Sequence, residues 1–122
     1  MEKRYRLRSM PYAQANVGIE EIDGEYTAVR LYSYKTLVAV IDVVRRPATL
    51  YCTGIYSRTT ARHINRFTTE FCGRNLYYEC KEAVSPARGF ADGRVNARIA
   101  MFDVLSMAYW YSEHGKRFNG KY

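Results

Sequence analysis

Between Ser57 and Gly73 the apolar residues recur with a helical period. At about 100° per residue, Ala61, Ile64, Phe67, Thr68 and Phe71 fall on one side, while Arg58, Arg62 and Arg66 form a stripe roughly opposite. Ser57 or Thr59 is placed to accept from the first unpaired helical N–H groups, and Gly73 can take the left-handed conformation that closes a helix. The pattern predicts a capped helix over 58–72 with one face for a core and one for water or an anion.

Upstream of it the period is two. Residues 3 to 8 alternate Lys3, Tyr5, Leu7 against Arg4, Arg6, Arg8, which predicts a basic N-terminal strand or a frayed arm over 1–10. Asn16 to Ile22 reads as a strand with Val17, Ile19 and Glu21 on one side. Asp23-Gly24 is a hairpin signal, and Tyr26 to Tyr32 is the returning strand. Thr36 to Val44 is a nearly continuous β-branched run and reads as a central strand. Arg45-Arg46-Pro47-Ala48 interrupts it, and Thr49 to Tyr56 resumes as the second arm of a central hairpin, 36–56.

Beyond Gly73, Leu76-Tyr77-Tyr78-Glu79-Cys80 reads as a short aromatic strand. Val84-Ser85-Pro86, Gly89 and Gly93 mark a loop, the likeliest place for flexibility. A second helix is expected over 95–112, with Val95, Phe102, Leu105 and Tyr109 on its main stripe and Ala97, Met101, Val104 and Ala108 beside it. Met107 and Trp110 widen its apolar circumference, so it sits centrally or meets a partner. Residues 114–122 form a basic, aromatic tail expected to be mobile. The whole, 1–122, reads as a single α+β domain: a small antiparallel sheet packed by helices 58–72 and 95–112.

Charge changes this picture. The 122 residues carry 19 Lys and Arg against 12 Asp and Glu, a net +7, which favours polyanionic partners and also serves solubility. No run approaches the ~18 apolar residues of a membrane span, and the charged start is not followed by a signal-peptide core. A cytoplasmic protein without a membrane partner is expected. Cys52, Cys72 and Cys80 are an odd set that fits reduced, buried thiols. A zinc site built from Cys72, Cys80, His63 and His114 lacks the close pairs such sites use, so neither a metal nor another cofactor is expected.

Four groups of residues are candidates for binding. Arg58, Arg62 and Arg66 rise along one helix side and could track phosphates, with Thr59 at the helix start and Tyr56 just before it. The Arg45-Arg46 turn and Arg4, Arg6 and Arg8 supply further cations. The bland reading of the helix stripe is a solvated face in which Glu70 pairs with Arg66. The twelve tyrosines could present stacking surfaces for bases, although in a small sheet most should be at least half buried. Ser57 and His63 are six residues apart and so point to different sides of a helix, which argues against a nucleophile and base. His63 is expected to face solvent or to cap. No Gly-rich phosphate loop, His-Glu-x-x-His, Gly-x-Ser-x-Gly or carboxylate cluster is present, and no enzyme is predicted.

Ser33-Tyr34-Lys35-Thr36 and Tyr56-Ser57-Arg58-Thr59-Thr60-Ala61-Arg62-His63-Ile64-Asn65-Arg66-Phe67 together resemble a pattern in small uncharacterised domains encoded by bacteriophages and mobile elements of gut bacteria. The resemblance covers the middle third of the chain and implies a setting in which small proteins bind nucleic acid or block a host defence complex. The expected function is binding of nucleic acid or a ribonucleoprotein through the basic face. The alternatives are an anti-defence, anti-CRISPR-like inhibitor of a host protein and an assembly protein forming a homodimer through helix 95–112.

Overall fold

A computed structural model describes residues 1–55, 57–85 and 92–118. Five strands, β1 (Glu2–Arg6), β2 (Ala15–Ile22), β3 (Glu25–Ser33), β4 (Thr36–Asp42) and β5 (Thr49–Cys52), form an antiparallel sheet in chain order. Three helices, α1 (Arg58–Cys72), α2 (Tyr77–Ala83) and α3 (Met101–His114), accompany it. The α+β class with a small antiparallel sheet is therefore as expected.

Short turns fix the strand order. Asp23 and Gly24 have φ of 52° and 80°, the left-handed pair that matches the twist of a two-residue hairpin. Tyr34 and Lys35, at 58° and 97°, turn β3 into β4. One sheet face carries Tyr5, Val17, Ile19, Val29, Leu31, Ile41 and Leu50, all buried. Ile64, Phe67 and Phe71 of α1 and Val104, Ala108 and Tyr111 of α3 complete the core. Complete burial of a side chain such as Phe67 contributes about 1.5–3 kcal/mol.

Helix α1 has the expected limits. The Ser57 side chain accepts from the Thr60 N–H, and Gly73 closes the helix at φ 78°. The hairpin 36–56, however, is not central: β3 is the middle strand and β5 lies at an edge. The most apolar run need not be the middle one when one sheet face is less covered, since an alternating strand such as β3 then buries its large side chains, Val29 and Leu31, on one side.

Three further expectations are corrected. Leu76 to Cys80 is not a strand; Leu76, Cys80 and Ala83 are buried at spacings of four and three, and α2 turns that stripe inward. Paired aromatics favour strands only weakly, and burial of this stripe outweighs them. The C-terminal helix begins at Met101, not near 95. Val95 and Ile99 are buried between exposed Asn96, Arg98 and Ala100, an alternation of period two. That segment instead covers the edge of β5: Cys52 N–H donates to the Gly93 carbonyl at 2.8 Å, Val95 N–H to the Leu50 carbonyl at 2.9 Å, and Tyr51 bridges Arg94. Gly93 is required there, since a Cβ would lie 2.2 Å from the Cys52 carbonyl oxygen at a φ of 84°.

The expected main stripe of the C-terminal helix is split: Phe102 and Tyr109 face outward, Leu105 is half-buried against the core, and Val95 is buried ahead of α3. Phe102 and Tyr109 are 78% and 60% exposed, while Val104, Ala108 and Tyr111 point inward. The segment read as a loop around Val84-Ser85-Pro86, Gly89 and Gly93 lies largely outside the described residues, as do the last four residues of the tail; Gly115–Phe118 is a 3-10 turn.

Candidate functional site

Helix α1 joins two different environments. On its outer side Arg58, Arg62 and Arg66 are exposed, and none forms an ion pair among the described residues. After the turn at Gly73, α2 returns alongside and leaves a groove of about 510 Å³ lined by Ile55, Ser57, Arg58, Ala61, Arg62, Asn65, Asn75, Tyr77 and Tyr78. The Asn75 carboxamide oxygen accepts from the Tyr77 N–H at 2.9 Å, which fixes the start of α2. The Tyr77 and Tyr78 rings meet edge to face with centroids 5.3 Å apart, and Tyr78 is 72% exposed. The groove thus combines two guanidinium groups without an ion pair among the described residues, two amides and an exposed aromatic ring. Arg66 continues the stripe one turn beyond it.

The other candidate cations are elsewhere and mostly engaged. Arg4 donates to Glu2 at 2.8 Å and covers the Tyr32 ring, 3.8 Å from its centroid. Arg6 donates to the Ala13 carbonyl at 2.8 Å. Arg8 donates its N–H to the Tyr111 hydroxyl at 2.7 Å, lies over the Trp110 ring and approaches Glu70 at 3.8 Å. Arg45 and Arg46 are exposed in the β4–β5 turn. Helix α1 begins at the opposite end of that hairpin, where Thr53 donates to the Leu37 and Val38 carbonyls. Seven residues of β4, about 20 Å, separate the two. Thr59 is half-buried at the helix start, and Tyr56 lies outside the described residues.

On the inner side of α1, His63 is completely buried and does not face solvent, contrary to expectation. Its Nδ1 shares a 2.8 Å hydrogen bond with Ser33 Oγ, which lies 3.2 Å from Thr60 Oγ1; Ser57 Oγ donates to Thr60 Oγ1 at 3.1 Å. The Tyr34 ring stands 5.9 Å from the imidazole. Burial lowers the His63 pKa, and its Nε2 has no partner among the described residues. The Ser-Tyr-x-Thr and Tyr-Ser-x-Thr-Thr-x-x-His segments therefore meet in space: they pin the start of α1 to the end of β3. Pattern reading missed this because His63 borders the apolar arc of α1, and its hydroxyl partner Ser33 is thirty residues away.

Glu70 is also misplaced by the helix pattern. It does not pair with Arg66; it accepts from the Tyr111 hydroxyl at 2.6 Å and from Ser9 Oγ and N–H at 2.6 and 3.1 Å. Its side chain is only 4% exposed. Burial, followed by the Glu70 carboxylate, pushes the Tyr111 phenol pKa up. This interior network joins the N-terminal loop, α1 and α3.

The thiols offer little reactivity. Cys52, Cys72 and Cys80 are buried and unbridged, and burial pushes Cys72 up to about 12. Cys80 is raised by its hydrogen bond with Cys52 and by burial. Among the described residues no group of three or more His, Cys, Asp or Glu is placed to hold a metal ion, and no helix is long and apolar enough to cross a membrane.

Comparison with known proteins adds a family and no activity. Residues 1–84 match DUF8033, a family of unknown function, and the chain belongs to it. All of β1–β5, α1 and α2 up to Ala83 fall within the match, so both walls of the groove do too. Neither the curated proteins nor the solved structures gave a match.

Proposed function

We propose that this member of a family of unknown function is a non-enzymatic protein of a phage or mobile element that binds nucleic acid, alone or within a nucleoprotein, through the α1–α2 groove. The observation that carries the reading is the convergence of Arg58, Arg62, Asn65, Asn75, Tyr77 and Tyr78 on one concave surface. Each supplies a different part of the recognition. The exposed Arg58 and Arg62 guanidinium groups neutralise phosphates, and Arg66 extends the track along the helix. The exposed Tyr78 ring offers a stacking surface worth roughly 1–3 kcal/mol per base, and the amides can bond base edges. A groove of about 510 Å³ suits an unpaired nucleotide with its flanking phosphates better than a duplex.

Mobility-shift titrations with short single strands at several salt concentrations test this. Affinity should fall steeply with salt, with a slope of roughly −0.7 per phosphate contacted. Absence of binding at every salt concentration contradicts it. The same basic surface would suit an acidic host protein, as in anti-defence inhibition. Retention of a host protein by nuclease-treated pull-down, without oligonucleotide binding, would favour that role.

A second reading has its own observation. Phe102 and Tyr109 are exposed seven residues apart on α3, one side of the helix, as an isologous contact between two copies would need. A monomer by light scattering at high concentration would remove it.

A further inference from the structure

The chain of hydroxyls inside α1 has a direction. Ser57 Oγ accepts from the Thr60 N–H and donates to Thr60 Oγ1. Thr60 can then give its own proton to Ser33 Oγ, 3.2 Å away, and Ser33 can give its proton to His63 Nδ1 at 2.8 Å. In this arrangement every hydroxyl proton is used and points inward, and the neutral imidazole carries its proton on Nε2. The outer end of the chain, Ser57, lines the groove beside Arg58 and Arg62.

An imidazolium cannot accept at Nδ1. Once His63 is protonated, Nδ1–H must donate to Ser33, Ser33 to Thr60 Oγ1, and Thr60 to Ser57 Oγ. One proton enters from solvent, each hydroxyl turns over, and the Ser57 O–H is left without its acceptor Thr60 Oγ1, the one it has among the described residues. We propose that Ser57 is a switched donor of the groove: protonation of His63 reverses the hydroxyl chain and turns the Ser57 O–H outward to a phosphate held by Arg58 and Arg62. This deepens, and rests on, the reading of the groove as a nucleic-acid site. Ser57 is the binding residue, and His63 is a positioning residue.

The surroundings of His63 leave the proton to act through this chain. From β3 it faces Ser33, and from the β3–β4 turn the Tyr34 phenol, with exposed Lys35 next in sequence. On its own helix the charged neighbours are the exposed Arg62 and Arg66. Among the described residues no carboxylate bonds to it, and the lowering of its pKa comes from burial.

The test compares wild type with Ser57→Gly, since glycine is an adequate helix cap without the hydroxyl. Binding of a fluorescent oligothymidylate is measured between about pH 5 and 8. Acidification should strengthen wild-type binding by roughly three- to tenfold more than it strengthens the variant, the effect of one added hydrogen bond. Identical pH profiles overturn the proposal, and His114, present in both proteins, cancels from the comparison. NMR of the protein without oligonucleotide separates the switch from the groove reading. The Ser57 and Thr60 amide resonances should titrate together with the His63 ring, and Ser33→Ala should uncouple Ser57 from it. If they follow His63 while no oligonucleotide binds at any pH, the groove reading fails and the internal switch remains. If they do not follow, or if His63 stays neutral down to about pH 5, the switch is wrong whatever the groove binds.

Discussion

Arg4, Arg6 and Arg8 alternate along an edge strand and the loop after it, and Arg58, Arg62 and Arg66 repeat along a helix, yet the two sets differ in the contacts they make. The N-terminal arginines meet Glu2, the Ala13 carbonyl, Glu70 and two aromatic rings. The helical arginines meet no carboxylate among the described residues. Equal charge therefore does not mean equal availability. A guanidinium held by a carboxylate, a carbonyl or an aromatic ring of the fold is fixed in place, whereas one with no ion-pair partner among the described residues can turn its donors to a ligand.

The largest break in this comparison should come at Glu70, the acceptor around which the N-terminal loop is organised. Glu70→Ala leaves the Tyr111 hydroxyl and the Ser9 N–H without their acceptor and should destabilise by about 2–4 kcal/mol in urea unfolding. A loss below about 0.5 kcal/mol would show that the interior network does not hold the loop. Arg4→Gln is expected to cost less, about 0.5–1 kcal/mol, because Arg4 is more than half exposed, and it should leave oligonucleotide affinity within about twofold. A large loss of affinity would place the N-terminal strand in the binding surface after all.

Acid should act on the two regions differently. Burial raises the Glu2 pKa, but hydrogen bonds from Arg4, Tyr32 and Arg30 outweigh it and leave it lowered. Glu20 is lowered chiefly by Thr27. Their stabilising effect is present above the unfolded value of 4.5 and is lost as pH falls through the lower folded values. His63 works in a higher window: its folded pKa lies below the unfolded 6.5, so the unfolded chain binds more protons and stability falls as pH drops from 6.5 towards the folded value. His63→Asn should remove that upper part of the acid loss and leave the lower part, as followed by thermal unfolding across pH. An unchanged profile would contradict the buried neutral imidazole. The smallest stability effect is expected for Arg58→Gln, Arg62→Gln and Arg66→Gln combined, within about 1 kcal/mol.

Local pattern carried much of the fold. The limits of α1, its caps, the Asp23-Gly24 turn and the antiparallel order follow from periods and turn chemistry that act over a few residues. The α1 arginine stripe was legible for the same reason. The parts that were not legible depend on contacts between distant segments. Ser33 and His63, or Glu70 and Ser9, have nothing in their own neighbourhoods to announce a partner. Tyr77 and Tyr78 looked like a strand because the stripe of Leu76, Cys80 and Ala83 is only two turns long. On α3, a helix apolar around most of its circumference, the period could not say that Val104 and Ala108 would be chosen over Phe102 and Tyr109.

The central claim is that the α1 arginines, unlike the N-terminal ones, are available to a polyanion. The direct measurement is the salt dependence of single-stranded oligonucleotide binding by wild type and by the variant with Arg58, Arg62 and Arg66 all changed to Gln. With folding intact, the variant should lose at least about tenfold in affinity at low salt, and the slope of log affinity against log salt should shrink by roughly 2, the share of three phosphate contacts. Binding that survives with its slope unchanged would contradict the account.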